Sequence, residues 1–231
     1  LLHYDEGAAG GGERTVLGGL KTKNVDVVSV IEGVGPCVAI SLKGTLNAYR
    51  NLTNRLEEAV GDCTNIHIAY PALVYGFLHL IRANSEGPVP ENGSSFLSAD
   101  DDGNVTPNDI ALVASGGVSP GIRRYHDALS RLSGRRDLRN DITRYEAMGL
   151  ILVSPEEGTI GTTVDSYPDA LSPLDFNRFF PNVYDQYDLR FVYGASALAS
   201  KTRRLEWDAD SPALGDDRLT GFAARVSASG T

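Results

Sequence analysis

Lysine is nearly missing from this chain. Four of its 21 basic side chains are lysines, against 17 arginines, in 231 residues. Cysteine is as scarce: Cys37 and Cys63 are the only two, without CxxC spacing. That excludes a disulfide framework and a thiolate metal site, and suits a reducing cytosol. No run reaches the eighteen or so uncharged apolar residues of a membrane helix. The opening LLHYDEGAAGGGERT has neither the basic start nor the apolar stretch of a secretory signal, so a cytoplasmic protein is expected. A basic excess is also lacking, since the net charge is -9. Several site patterns are absent too. GAAGGGE carries no GKT or GKS, Ser115 and Ser119 near His126 form no GxSxG elbow, and ADDDGN lacks the spaced ligands and closing Glu of a calcium loop.

What is present reads as one α/β domain over 1–231, with 1–20 a flexible connection or the edge of a longer region. NVDVVSV (24–30) and CVAISLK (37–43), separated by the turn signal EGVGP, predict a β-hairpin. A turn centred between Val34 and Gly35 sets Val28 opposite Ser41 and Asp26 opposite Lys43. Alternation puts Ser41 and Lys43 on one face, Ile40 and Leu42 on the other. From Thr45 or Asn47, both good N-caps, a helix runs to about Val60 with Gly61 as its stop and Tyr49, Leu52, Leu56 and Val60 as its apolar stripe. YPALVYGFLHLIRA (70–83) is a central strand, and 84–108 a polar loop. Ser119 and Pro120 open a helix to about 132, RNDITRYEAM predicts another, GLILVSP (149–155) a fourth strand, and the aromatic tail from Leu174 is partly helical. This order makes a mixed sheet flanked by helices.

The residues whose placement looks costly lie in the hairpin and first helix. A lysine on an apolar strand must be desolvated unless a carboxylate is near. The hairpin register supplies Asp26, and Glu57 lies one position past Leu56, at the margin of the helix's buried face. Two carboxylates and an ammonium beside Ser41 suit metal-assisted phosphodiester hydrolysis. Hard oxygen ligands hold Mg²⁺, the ion polarises the phosphoryl oxygen, and the lysine orients water and steadies developing charge. Glu58 is a rival to Glu57, Glu32 a substitute for Asp26, and Glu13 a further candidate acid if it sits on a preceding helix. Lys43 could also reach solvent past Gly44 along its own stem.

These residues resemble the PD-(D/E)XK nuclease superfamily, with Ser41 in place of its middle acid and Val25 where its proline stands. Ser41, Lys43, Thr45, Arg55 and Glu57, with thirteen residues between Lys43 and Glu57, are similar to a subgroup of type II restriction endonucleases. There the strand reads SxKxT and a helical Glu, with Arg two positions before it, replaces the missing acid. The resemblance implies a restriction-endonuclease-like core, Lys43 as catalytic lysine, Asp26 and Glu57 as Mg²⁺ ligands, and double-stranded DNA as substrate. It also implies a homodimer or higher symmetric oligomer for cutting both strands.

Seven of the 17 arginines fall between 123 and 144. Arg123, Arg124, Arg135, Arg136 and Arg139 are the candidate DNA contacts, because the guanidinium fork suits phosphates and guanine edges alike. A solvated face interleaved with Asp127, Asp137 and Asp141 is the competing account, and His79 in FLHLI reads as a satisfied core histidine. The alternatives to a restriction enzyme are a repair or junction-resolving nuclease of the same superfamily, and a non-catalytic binding module.

Overall fold

A computed structural model describes residues 13–198, 207–215 and 226. GAAGGGE therefore lies almost wholly outside the described residues. Glu13 precedes a strand rather than riding on a helix. That strand, β1 (Arg14–Leu17), pairs antiparallel with β2 (Thr22–Val25), so residues 14–17 are part of the fold rather than a loose connection. The main sheet has the order β3 (Val27–Ile31), β4 (Gly35–Thr45), β5 (Val74–Arg82), β6 (Ala147–Val153). β3 and β4 are antiparallel; β4, β5 and β6 run parallel. The chain is a mixed α/β protein.

The hairpin forms where the sequence predicts it, but in another register. Val27 lies opposite Ile40, not Leu42, and a bulge between Ser29 and Val30 shifts the pairing again toward the turn. Gly33 and Gly35 take φ of 73° and 106°, open to glycine without a steric penalty, and they displace the turn centre. Thr45 remains in the strand rather than capping a helix. The chain then reverses at Ala48, whose φ is 55° and whose amide is held by the Asp109 carboxylate at 2.6 Å. After a short 3₁₀ turn, α1 (Leu52–Ala69) begins.

Gly61 does not stop α1. It is exposed, and beyond it Cys63 and Ile66 are fully buried, which outweighs the roughly 1 kcal/mol cost of a mid-helix glycine. The inward stripe is therefore Leu52, Ala59, Cys63 and Ile66, with Leu56 packed at its side. α2 (Pro120–Arg131) starts as predicted, with the Ser119 hydroxyl accepting from the Ile122 amide. RNDITRYEAM makes no helix: Tyr145 exchanges backbone bonds with Leu132 and Arg135 and leads directly into β6. The continuous apolar run Ala147–Val153 suits a strand covered on both faces.

α1 and α2 cover one face of the sheet, meeting Ala39, Tyr75, Phe77, Met148 and Leu150. α3 (Phe176–Tyr187) covers the other, where Phe179 and Val183 pack on Ile40, Val74 and Leu78. Gly76 makes that approach possible, since a Cβ there would stand 2.6 Å from the Phe179 ring. Among the described residues no helix is long and apolar enough to cross a membrane.

Candidate active site

Alternation along β4 turns Ser41, Lys43 and Thr45 toward the α1 face and Ile40 toward α3. Ser41 is buried and shares a 2.8 Å hydrogen bond with the Tyr75 hydroxyl. Burial first, with the nearby Asp62, Cys63 and Asp26 charges adding to it, pushes that hydroxyl well above its ordinary range despite the Ser41 bond. Lys43 keeps 29% of its side chain exposed, so it is partly covered rather than fully desolvated. Asp26 sits between β2 and β3, and its Oδ2 accepts from the Leu42 amide at 2.8 Å. The changed register thus places Asp26 beside the strand one residue short of Lys43 instead of opposite it.

The helix supplies Glu58, not Glu57. Glu57 is exposed, while Glu58 Oε1 lies 3.9 Å from Lys43 Nζ and 3.9 Å from Lys23 Nζ. Arg55, three residues before it on the helix, donates to Glu58 Oε2 at 2.9 Å. Partial burial would raise the Glu58 carboxyl, but the Arg55 bond and the Lys43, Lys23 and Arg55 charges hold it below the usual carboxylate range. One turn further, Asp62 takes Lys23 Nζ at 2.5 Å. Lys43 and Glu58 therefore meet at one end of β4, Lys23 links Glu58 to Asp62, and Asp26 is anchored to the same stretch of strand at the Leu42 amide.

Comparison with protein-family models, curated proteins and solved structures finds no match.

The donors around Lys43 are of the hard oxygen kind. Asp26 spends Oδ2 on Leu42, whereas both Glu58 oxygens face cations, two of them at the loose distance of 3.9 Å. Among the described residues no three His, Cys, Asp or Glu side chains form a ready group of metal ligands. One or two carboxylates with water and substrate oxygens filling the other positions is the way Mg²⁺ is commonly held, and Asp26 with Glu58 fits that donor set. Glu32 is exposed in the hairpin turn, away from this role.

The arginines divide. Arg123 and Arg124 are exposed on α2, and Arg136 and Arg139 in the segment after it. Arg135 is not a surface contact, which corrects the expectation for it. It is fully buried, with Nη1 2.7 Å from Glu146 Oε1 and donating also to the Pro71 carbonyl, while Nη2 donates to the Leu138 carbonyl. Glu146 Oε1 also receives Arg190 Nη1 at 2.7 Å, and Oε2 takes the Tyr75 amide at 2.7 Å beside His67 Nε2 at 3.3 Å. Burial pushes the Glu146 carboxyl up, and the close approach of His67, the Arg190 charge and the Tyr75 amide outweigh it, so it lies below the usual range.

His79 is buried as read from the sequence, but it has polar partners on both sides. Nε2 stands 2.8 Å from Thr45 Oγ1 and Nδ1 2.5 Å from the Tyr125 hydroxyl. Burial, then the Arg55 and Lys43 charges, push its pKa down to about 4. Lys23, Asp62 and this histidine are the site residues that sequence reasoning missed. The Arg55, Glu58, Asp62 spacing of three and four was a visible signal for one polar helix edge; nothing local pointed to Lys23.

Proposed function

We propose that this chain is a Mg²⁺-dependent endodeoxyribonuclease of the restriction-endonuclease-like kind, acting on double-stranded DNA, with sequence-specific type II cleavage as its activity. The observation that carries the reading is the meeting of Lys43 and Glu58 at one end of a hairpin strand to which Asp26 is also anchored, on the strand-helix-strand frame that the SxK resemblance implies. In the reaction, a water oxygen attacks phosphorus, one phosphorus–oxygen ester bond breaks, and a proton passes to the leaving alkoxide. The Lys43 ammonium orients the water and balances charge on the phosphoryl oxygens. Asp26 and Glu58 would hold Mg²⁺, which polarises the phosphoryl oxygen and acidifies bound water. Lys23 keeps Asp62 neutralised beside them. The exposed Arg123, Arg124, Arg136 and Arg139 contribute phosphate contacts, and their binding weakens as salt rises. A two-fold dimer, each copy cutting one strand, completes the proposal.

Plasmid DNA incubated with the protein and Mg²⁺ tests this. Discrete bands support a sequence-specific enzyme, and a smear supports a non-specific or repair nuclease on the same site. Intact plasmid from a folded protein that still binds DNA leaves only a binding module.

A further inference from the structure

The hydrogen atoms between Tyr125, His79 and Thr45 can be ordered in only one satisfactory way. Tyr125 is 2% exposed, and its hydroxyl has the His79 ring as its hydrogen-bond partner among the described residues. If His79 donated from Nδ1, the phenolic hydrogen would be stranded in the core, a costly arrangement for a buried donor. Tyr125 therefore donates to Nδ1. A neutral imidazole carries one N–H, so His79 donates from Nε2 and Thr45 Oγ1 accepts. The Thr45 hydroxyl hydrogen is then not used by His79 and is available to a further acceptor.

Thr45 lines a pocket of ≈ 280 Å³ together with Asn47, Asn51 and Arg55, with no carboxylate in its wall among the described residues, and on its other side a more apolar cavity with Leu80, Phe96 and Val153. The polar pocket is the one that can offer this hydrogen an acceptor. Arg55 has Nη1 on Glu58, is half exposed and lines the same pocket, which leaves its other nitrogens for a ligand there. A neutral donor and a guanidinium in a recess free of acids suit an anionic oxygen. Thr45 is two residues beyond Lys43 on the same face of β4.

We infer that Thr45 donates its hydroxyl hydrogen to a backbone phosphate of the bound nucleic acid, next to the one that is cut, and that the buried Tyr125–His79 pair fixes this direction. The identity of the ligand rests on the nuclease reading above; the direction of the hydrogen bonds does not. Tyr125 and His79 are positioning residues, and Thr45 is the contact. The parallel register makes this possible, because Lys43 and His79 are partners across β4 and β5 and Thr45 follows one step along the same face.

Two measurements decide it. In protein labelled with ¹⁵N-histidine, the ring shifts of His79 should show hydrogen on Nε2, and Tyr125→Phe should release the other tautomer. Hydrogen on Nδ1 in the native protein overturns the inference. Binding is then measured with Ca²⁺ in place of Mg²⁺, using duplexes in which a neutral methylphosphonate replaces one backbone phosphate at a time. At one position the replacement should weaken wild-type binding about ten-fold, the scale of a hydrogen bond to a charged group. Thr45→Val should bind the unmodified duplex about ten-fold more weakly and lose nothing more at that position, while Thr45→Ser behaves as wild type. Equal losses in wild type and Thr45→Val at every position overturn the contact. If no duplex binds, the nuclease reading fails, and inorganic phosphate decides the rest: a shift of the Thr45 amide in wild type and Thr45→Ser but not Thr45→Val supports the donor, and no shift refutes it.

Discussion

Arg135 and Arg136 are adjacent in sequence and opposite in role, so changing them separately should move two unrelated observables. Arg135→Met removes one of two guanidiniums from a fully buried carboxylate and leaves the Pro71 and Leu138 carbonyls without that donor. Stripping one partner from a buried pair costs roughly 3–5 kcal/mol when nothing else remains. Here Glu146 keeps Arg190 at 2.7 Å, the Tyr75 amide at 2.7 Å and His67 at 3.3 Å, which lowers the loss. The lost carbonyl bonds add back about 1 kcal/mol. A net destabilisation of about 3 kcal/mol follows, or a melting temperature lower by about 6–12 °C for a chain of this size. Arg136→Ala, on an exposed side chain, should stay within about 0.5 kcal/mol of wild type. Urea unfolding followed by circular dichroism measures the first effect. The second is the slope of DNA affinity against salt, by anisotropy of a labelled duplex; Arg136→Ala should flatten it by about one counterion and Arg135→Met should not. An Arg135→Met protein of wild-type stability with a flattened slope would refute the assignment of Arg135 to the core.

Three further outcomes are expected. Lys43→Ala should lower Mg²⁺-dependent cleavage by about 10²-fold or more while duplex binding in Ca²⁺ stays near wild type, and cleavage at the native rate removes Lys43 from the mechanism. Glu58→Gln should abolish cleavage and Glu57→Gln leave it within about two-fold; the reverse result returns the ligand role to the K-x13-E position. The His79 pKa, lowered to about 4 in the fold, means the unfolded chain takes up a proton at a pH where the folded one does not. Stability is therefore fully present above pH 6.5 or so and falls toward pH 4, by about 3 kcal/mol. Denaturation midpoints in His79→Gln should be flatter between about pH 6.5 and 5, above the range where Glu58 and Glu146 begin to titrate, and an equal slope in both proteins sinks the argument.

The order of elements was legible because each carries local signals: β-branched runs around a glycine turn, a Ser-Pro helix start, an unbroken apolar strand before Ser154. What failed depended on distant partners. Taking Gly61 as a stop removed Cys63 and Ile66 from the helix, and without them the stripe seemed to run through Leu56 and Val60. That error of phase made Glu57 the marginal inward residue. With the whole of α1 in view, Glu58 and Asp62 share the edge above the strand and Glu57 looks outward. The hairpin register failed for a comparable reason, since a bulge and two left-handed glycines are set by how the turn closes and not by which residues are β-branched. Arg135 could not be separated from Arg136 by spacing, because its partner lies 11 residues on, past an irregular segment. Lys43 stands out in the sequence because a charge on an apolar strand is unusual in any register.

The carboxylate of Glu146 is met by four separate stretches: His67 at the end of α1, the amide at the start of β5, Arg135 after α2 and Arg190 in the π-helical turn after α3. Peripheral segments ordinarily open alone at little free-energy cost. Opening the π-helical turn Asp188–Tyr193 withdraws Arg190 from Glu146 and leaves the buried carboxylate with Arg135 as its one guanidinium partner, a cost that ordinary local opening does not carry. The amide hydrogens of this turn should exchange more slowly than those of exposed loops, and one buried side chain thereby ties the opening of this segment to the sheet.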